Sequence, residues 1–161
     1  MKEGKMPRGI RFGIDVGAAR IGVARSDAAG ILASPVETVA HNGRDISRVA
    51  ALIRQAEHEA PVVEIAVGLP LNMDGSEGSS ARHARAWARR LSRRVPEIPL
   101  RFVDERLSTV AAHRELSQAG IQTRNHRPVV DQAAAVIILE TAMNADRMAQ
   151  QEDHSEGDMS E

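Results

Sequence analysis

Residues 62–67 read VVEIAV, a short and nearly continuous apolar run flanked on each side by a helical pattern. A strand with one wet face alternates apolar and polar residues. A run this apolar belongs to a strand covered on both faces, as in parallel sheets. Before it, residues 45–59 place Ile46, Val49, Ala50 and Ile53 at the spacing of an amphipathic helix, and Pro61 ends that helix. After it, residues 79–94 carry a stripe of Ala81, Ala84, Ala88 and Leu91, and residues 100–103 read as another strand. Upstream stand three further strand patterns, at 10–16 (Ile10, Phe12 and Ile14 on one face), 21–24 and 34–39. The short link from Gly17 to Arg20 suits an antiparallel hairpin. Downstream, Ser108 is placed to cap a helix running to Ala119, with Gly120 beyond its end. A polar, basic loop follows at 121–127, and Pro128 is placed to open a last helix through about Ala149. Three strands, then helix–strand–helix–strand, then two helices predict an α/β fold with a mixed sheet and helices on its faces.

The chain has 161 residues, which predicts one domain over 9–150, with a flexible arm at 1–8. The last eleven residues hold five acids and no Lys or Arg, and predict a disordered tail over 151–161. Without them the body has 21 basic and 17 acidic residues, a net +4 that permits nucleic-acid binding without demanding it. There is no cysteine, which removes disulfides, thiolate nucleophiles and Cys-based zinc sites. The longest clean apolar run, 133–139, falls far short of the ~20 residues of a membrane helix. The N-terminus lacks the apolar stretch of a signal peptide, so the expectation is a cytoplasmic protein with no membrane partner. Phe12, Trp87 and Phe102 are the only aromatics, too few for a protein that grips single strands by stacking bases on rings.

The informative chemistry is carboxylate in unusual places. Asp15 interrupts an apolar strand just before Gly17; locally it reads equally well as the start of a turn. Asp104 and Glu105 close another strand, where a solvated end is an equally good reading. Asp131 heads the face of the last helix shared with Ala134, Ala135, Ile138 and Ala142, where it either complements the helix dipole or serves a site. Acids at two strand ends and one helix start can meet at one sheet edge. Their mutual repulsion then calls for a hard divalent cation, Mg²⁺ or Mn²⁺. Two such ions hydrolyse phosphodiesters by activating a water and stabilising the leaving oxygen. Other chemistries find no support: there is no Walker A motif, no GxGxxG and no HxxxH pair. Arg82, Arg85, Arg89 and Arg93, widened by Arg90 and Arg94, line one side of the 79–94 helix, as a phosphate-facing stripe or, more simply, a solvated face. Arg124, His126 and Arg127 flank Asp131 and are better placed to contact substrate.

GIDVGAARIGVARSD (13–27), VGLPLNMDGSEG (67–78), VDERLST (103–109) and DQAAAVIILE (131–140) resemble, in order, the four signature blocks of the YqgF family. These are ribonuclease-H-like proteins described both as RuvX-type Holliday junction resolvases and as pre-16S rRNA nucleases. The resemblance spans about Gly9 to Ala149. It implies a five-stranded mixed sheet whose first three strands are antiparallel. It also implies that the acid of the DER block is Glu105 rather than Asp104, so that Asp15, Glu105 and Asp131 are the catalytic, metal-binding carboxylates, with Asp15 bridging two ions. Arg20 matches the block after the first acid and is expected to steer phosphate. Gly17, Gly68, Leu69 and Pro70 are expected to shape loops beside the site. Asn72, Asp74, Arg106, Arg124 and Arg127 are expected to touch substrate.

The expected activity is metal-dependent endonucleolytic hydrolysis that trims precursor small-subunit rRNA, leaving a 5′-phosphate and a 3′-hydroxyl. The second expectation keeps the same site but acts on four-way DNA. The expected state is a monomer or a weak homodimer without a disulfide, and a symmetric junction, which needs two sites, requires the homodimer. A third, from another class, is a binding protein that docks on RNA or a ribosome precursor without cutting; acids at all three positions argue against it. A fourth, nucleotide binding as in actin-like ATPases, fails because a second domain to close over the nucleotide is missing.

Overall fold

A computed structural model describes residues 8–109 and 127–158, with side chains over 8–109 and 131–153. The order is β1 (Ile10–Val16), β2 (Arg20–Ser26), β3 (Ala33–Ala40), α1 (Asp45–Ala56), β4 (Val62–Leu69), α2 (Ser79–Arg94), β5 (Leu100–Asp104), a single 3₁₀ turn (Glu105–Leu107) and α3 (Arg127–Asp158). The strands form one sheet in the order β3-β2-β1-β4-β5. β1 pairs antiparallel with β2, and β2 with β3, while β4 runs parallel to both β1 and β5. This is the mixed sheet expected from the sequence. The apolar run at 62–67 lies in the second position from one edge, flanked by parallel neighbours.

Strand alternation sorts the side chains of β1 onto two faces. Ile10, Phe12 and Ile14 join Ile53, Trp87 and Leu91 in the core beneath α1 and α2. Gly13 and Asp15 therefore face α3. That helix lies flat on its side of the sheet, with Ala134, Ala135, Ile138 and Leu139 fully buried against Ala24, Ala66 and Val103. A Cβ on Gly13 would sit 2.6 Å from the carbonyl oxygen of Ala135, so helix backbone and strand meet directly there. Past its midpoint α3 is fastened by Asp146, which accepts from Arg11 at 2.8 Å and from Arg101 at 2.7 Å.

Several boundaries differ from the sequence expectation. α1 stops at Ala56, and 57–59 form a turn ahead of Pro61. β4 continues through Gly68 and Leu69, which pair with Val103 and Asp104; these two residues belong to a strand, not to a loop. α3 runs on to Asp158, so 151–158 of the expected disordered tail are helical. Charge alone suggested disorder, but Gln151 and Glu152 are good helix formers and no proline interrupts the run. The expected helix at 108–119 lies outside the described residues beyond Thr109, as does the basic loop with Arg124 and His126.

Candidate active site

Three elements carry three carboxylates to the same edge and the same face of the sheet. Asp15, next to last in β1, is 2% exposed beneath α3. β4 and β5 run parallel to β1, so their C-terminal ends share its edge. Glu105 follows β5 immediately and is buried at 7%. It continues the alternation of Val103, which packs on Ile138. Asp131 stands near the start of α3 with its side chain 23% exposed.

Two glycines set how closely these groups approach. Gly22 lies opposite Asp15 in the β1–β2 ladder. A Cβ on Gly22 would overlap the backbone oxygen of Asp131, so the bare strand lets the start of α3 rest beside Asp15. Gly68 follows the residue paired with Ile14, which puts it level with Asp15. A Cβ there would lie 2.8 Å from a carboxylate oxygen of Glu105, which thus occupies the space above the glycine. Sequence reading passed over Gly22. Its signal was a glycine inside a strand pattern, a common mark of close backbone approach.

Arg20 opens β2, and its Nε donates to Oδ2 of Asp131 at 3.0 Å. The hairpin that presents it is tight: the Gly17 amide donates to the Arg20 carbonyl at 2.9 Å. His41 braces it from behind, its amide donating to the Ala19 carbonyl at 3.0 Å and its Nδ1 lying 3.2 Å from the Gly17 carbonyl. Beside His41, the fully buried Asp45 accepts from Trp87 Nε1 at 2.7 Å. Burial pushes the Asp45 carboxyl up, but the Trp87 hydrogen bond, a backbone amide and the charges of His41 and Arg90 outweigh it and hold the group below its usual range. Sequence patterning gave no sign of this buried Asp45–Trp87 pair.

The neighbouring acids separate cleanly. Asp104 caps the 3₁₀ turn, accepting from the Arg106 amide at 2.9 Å and from its guanidinium at 2.8 Å. The Arg106 hydrogen bonds hold its carboxyl below the usual range. Arg106 also reaches the Met73 carbonyl, tying the edge to the loop after β4. In that loop Asn72 donates to Ser76 Oγ at 2.9 Å, and Asp74 accepts from the Ser76 amide at 2.9 Å around Gly75, whose φ of +88° suits glycine. Asn72 and Asp74 thus shape the loop as well as standing exposed on it. Pro70 follows β4 directly. Arg124 lies outside the described residues, and Arg127 starts α3.

The donors at this edge are all carboxylate oxygens, the chemistry that suits Mg²⁺ or Mn²⁺. Among the described residues no three acidic or imidazole side chains are gathered closely enough to hold an ion. The expected convergence is therefore one of edge and face, not a closed cage, and the Asp131 carboxylate is engaged by Arg20.

This sheet order, with α3 on the acid-bearing face, is ribonuclease-H-like. Thermus thermophilus RuvC, solved in complex with a Holliday junction substrate, shares the fold at a TM-score of 0.54 and 19% identity, over 88% of this chain and 97% of that one. Residues 9–145 match the RuvX family, described as Holliday junction resolvase, and the chain belongs to that family. A relative from Kineococcus radiotolerans is 47% identical over 88% of this chain and 75% of its own length. One from Rhodococcus opacus is 51% identical over 83% and 76%. Both carry the name "Putative pre-16S rRNA nuclease". No helix of the described residues is long and apolar enough to cross a membrane.

Proposed function

We propose that this chain is a divalent-metal-dependent endonuclease that matures the ends of pre-16S rRNA in the cytoplasm. The observation that carries the reading is the burial of Asp15 and Glu105 on one glycine-lined face, at the edge where α3 brings in Asp131. The name borne by relatives at about half identity supports the substrate. Asp15, Glu105 and Asp131 would hold Mg²⁺ or Mn²⁺, which when bound activate water and stabilise the leaving oxygen. The chain's own residues do the positioning. Strand and helix backbone fix the carboxylates, and packing under α3 excludes bulk water from Asp15. Arg20 steadies Asp131 and is available to a phosphate. Hydrolysis leaves a 5′-phosphate and a 3′-hydroxyl.

The test pairs a precursor-end RNA with a synthetic four-way junction, each with Mg²⁺, Mn²⁺ or EDTA. Asp15→Asn is expected to lower RNA cutting by about a thousandfold or more, equivalent to ~4 kcal/mol of barrier, without unfolding the protein. Wild-type cutting by that variant would show that the acids are misassigned. The family description favours one second reading, junction resolution. Paired symmetric nicks in the junction with little RNA cutting would establish it in place of the first. Absence of any variant-sensitive cutting would leave docking on RNA as the function.

A further inference from the structure

The two helices on the sheet face opposite α3 treat their arginines differently. In α1, Arg48 pairs with Glu37 at 2.7 Å, and Arg54 pairs with Glu57 at 2.8 Å and also with Glu97. α2 carries six arginines and no acid. Arg85 is held by Glu77 and lies over the Phe102 ring at 4.7 Å, and Arg94 donates to Ser47. Arg89 and Arg93 are exposed and make no hydrogen bond or ion pair among the described residues. At 100° per residue, Arg82, Arg89 and Arg93 fall within about 40° of one another, a narrow cationic stripe.

Helix stability does not account for this stripe. Arg85–Arg89 and Arg89–Arg93 are like-charge pairs one turn apart, which destabilise a helix. Arg93 and Arg94 suit the negative end of the dipole, but Arg82 stands near the positive end, where a cation is disfavoured. The direction of the stripe is also informative. α2 is the crossover between parallel β4 and β5, so it starts at the acid edge and runs back along the sheet. Arg82 is nearest that edge and Arg93 lies about 16 Å further along the helix axis.

We infer that the outer face of α2 is a second nucleic-acid contact, a track of phosphate-binding arginines that holds the segment flanking the cut. The inference rests on the nuclease reading for the identity of its partner. Arginine suits the role because its planar fork grips phosphate oxygens in pairs. The stripe has no aromatic ring at its exposed positions, so it reads charge and not bases.

Binding is measured in the Asp15→Asn background, which prevents cutting, with and without Arg89→Gln/Arg93→Gln. The probes are double-stranded DNA and single-stranded RNA, titrated over a range of salt. The double substitution is expected to make the plot of log affinity against log salt shallower by about 1.8 for the duplex and about 1.4 for the single strand. Its unfolding midpoint should stay the same or rise, since it relieves like-charge repulsion. Unchanged slope and affinity on both probes, or no binding by the Asp15→Asn protein itself, overturns the inference. Cutting of precursor-end RNA by the wild type is followed separately. If it is absent while the slope still changes, the nuclease reading fails and the phosphate track stands.

Discussion

On the side of the sheet covered by α1 and α2, large side chains meet: Phe12, Ile14 and Ile65 from the strands, Ile53, Trp87 and Leu91 from the helices. On the α3 side the strands offer Gly13, Gly22, Ala24, Ala66 and Gly68, and the helix lays Ala134, Ala135, Ile138, Leu139 and its own backbone onto them. The first side gains stability from buried volume. The second gives up volume to bring a helix backbone onto the strands, and all three carboxylates sit on or beside that second face. Short, stiff connections hold a charged group in place better than long side chains do, which is what a preorganised site requires. Substitutions that remove atoms should therefore act mainly through the first side, and substitutions that add atoms mainly through the second.

The largest stability loss is expected from Phe12→Ala, about 4 kcal/mol by denaturant unfolding, because a fully buried ring leaves a cavity under α1 and α2. At a temperature where the variant is still folded, its RNA cutting should remain near the wild-type rate, since its side chain faces away from the acids. A loss under ~1.5 kcal/mol would mean that this core collapses around the gap, and would weaken the contrast between the two sides.

Gly22→Ala adds one methyl group where the Asp131 backbone oxygen already lies. Helix α3 must shift or the strand must bend, at about 1–3 kcal/mol. Activity should suffer as well as stability, with cutting down at least about tenfold, because Asp131 moves with the helix and positioning errors are amplified in rate. Near-normal cutting by a folded Gly22→Ala protein would break the link between close packing and the site.

Trp87→Phe keeps an aromatic ring, though a smaller one, and removes the N–H that Asp45 accepts, leaving a buried carboxylate with less support; among the described residues Oδ1 of Asp45 already has no hydrogen-bond partner. The expected loss is about 2 kcal/mol. The sign of the pH dependence follows from a folded-state pKa held below 3.8. Asp45 contributes its full stability above that ordinary value and loses it as pH falls through the depressed one. Without the Trp87 hydrogen bond the depression shrinks and less of this stability remains to be lost in acid, so the variant's deficit relative to the wild type should be full above that ordinary value and should narrow as pH falls below it. Unfolding curves from neutral to acidic pH read this directly.

The order of strands and helices was legible in the sequence because each element carries its own period: alternation in β1, a 3.6-residue stripe in α1, a nearly continuous apolar run in β4. Ends were less legible. Gly68 and Leu69 look like loop, yet the pairing of β4 with β5 extends the strand through them. The acids were legible as anomalies in apolar settings, but spacing along the chain carries no information on approach across the sheet. That approach depends on Gly22 and Gly68, whose meaning emerges only once α3 is in place. The same limit hid the partner of Arg20, since 111 residues separate it from Asp131.

The smallest effect should come from Asp104, and it sharpens the contrast at the finest scale because Glu105 is its neighbour. Asp104 is committed to an exposed pair with Arg106, an interaction worth at most about 0.5–1 kcal/mol. Asp104→Asn should therefore leave stability within that range and cutting within about threefold, under ~1 kcal/mol of barrier. Glu105→Gln removes a carboxylate that faces α3 over Gly68, and its cutting should fall as far as that of Asp15→Asn. Both substitutions delete one charge from adjacent positions, so surface charge or local folding predicts equal outcomes for the two. A large difference in rate at equal unfolding midpoints can come only from which face of the sheet each carboxylate occupies.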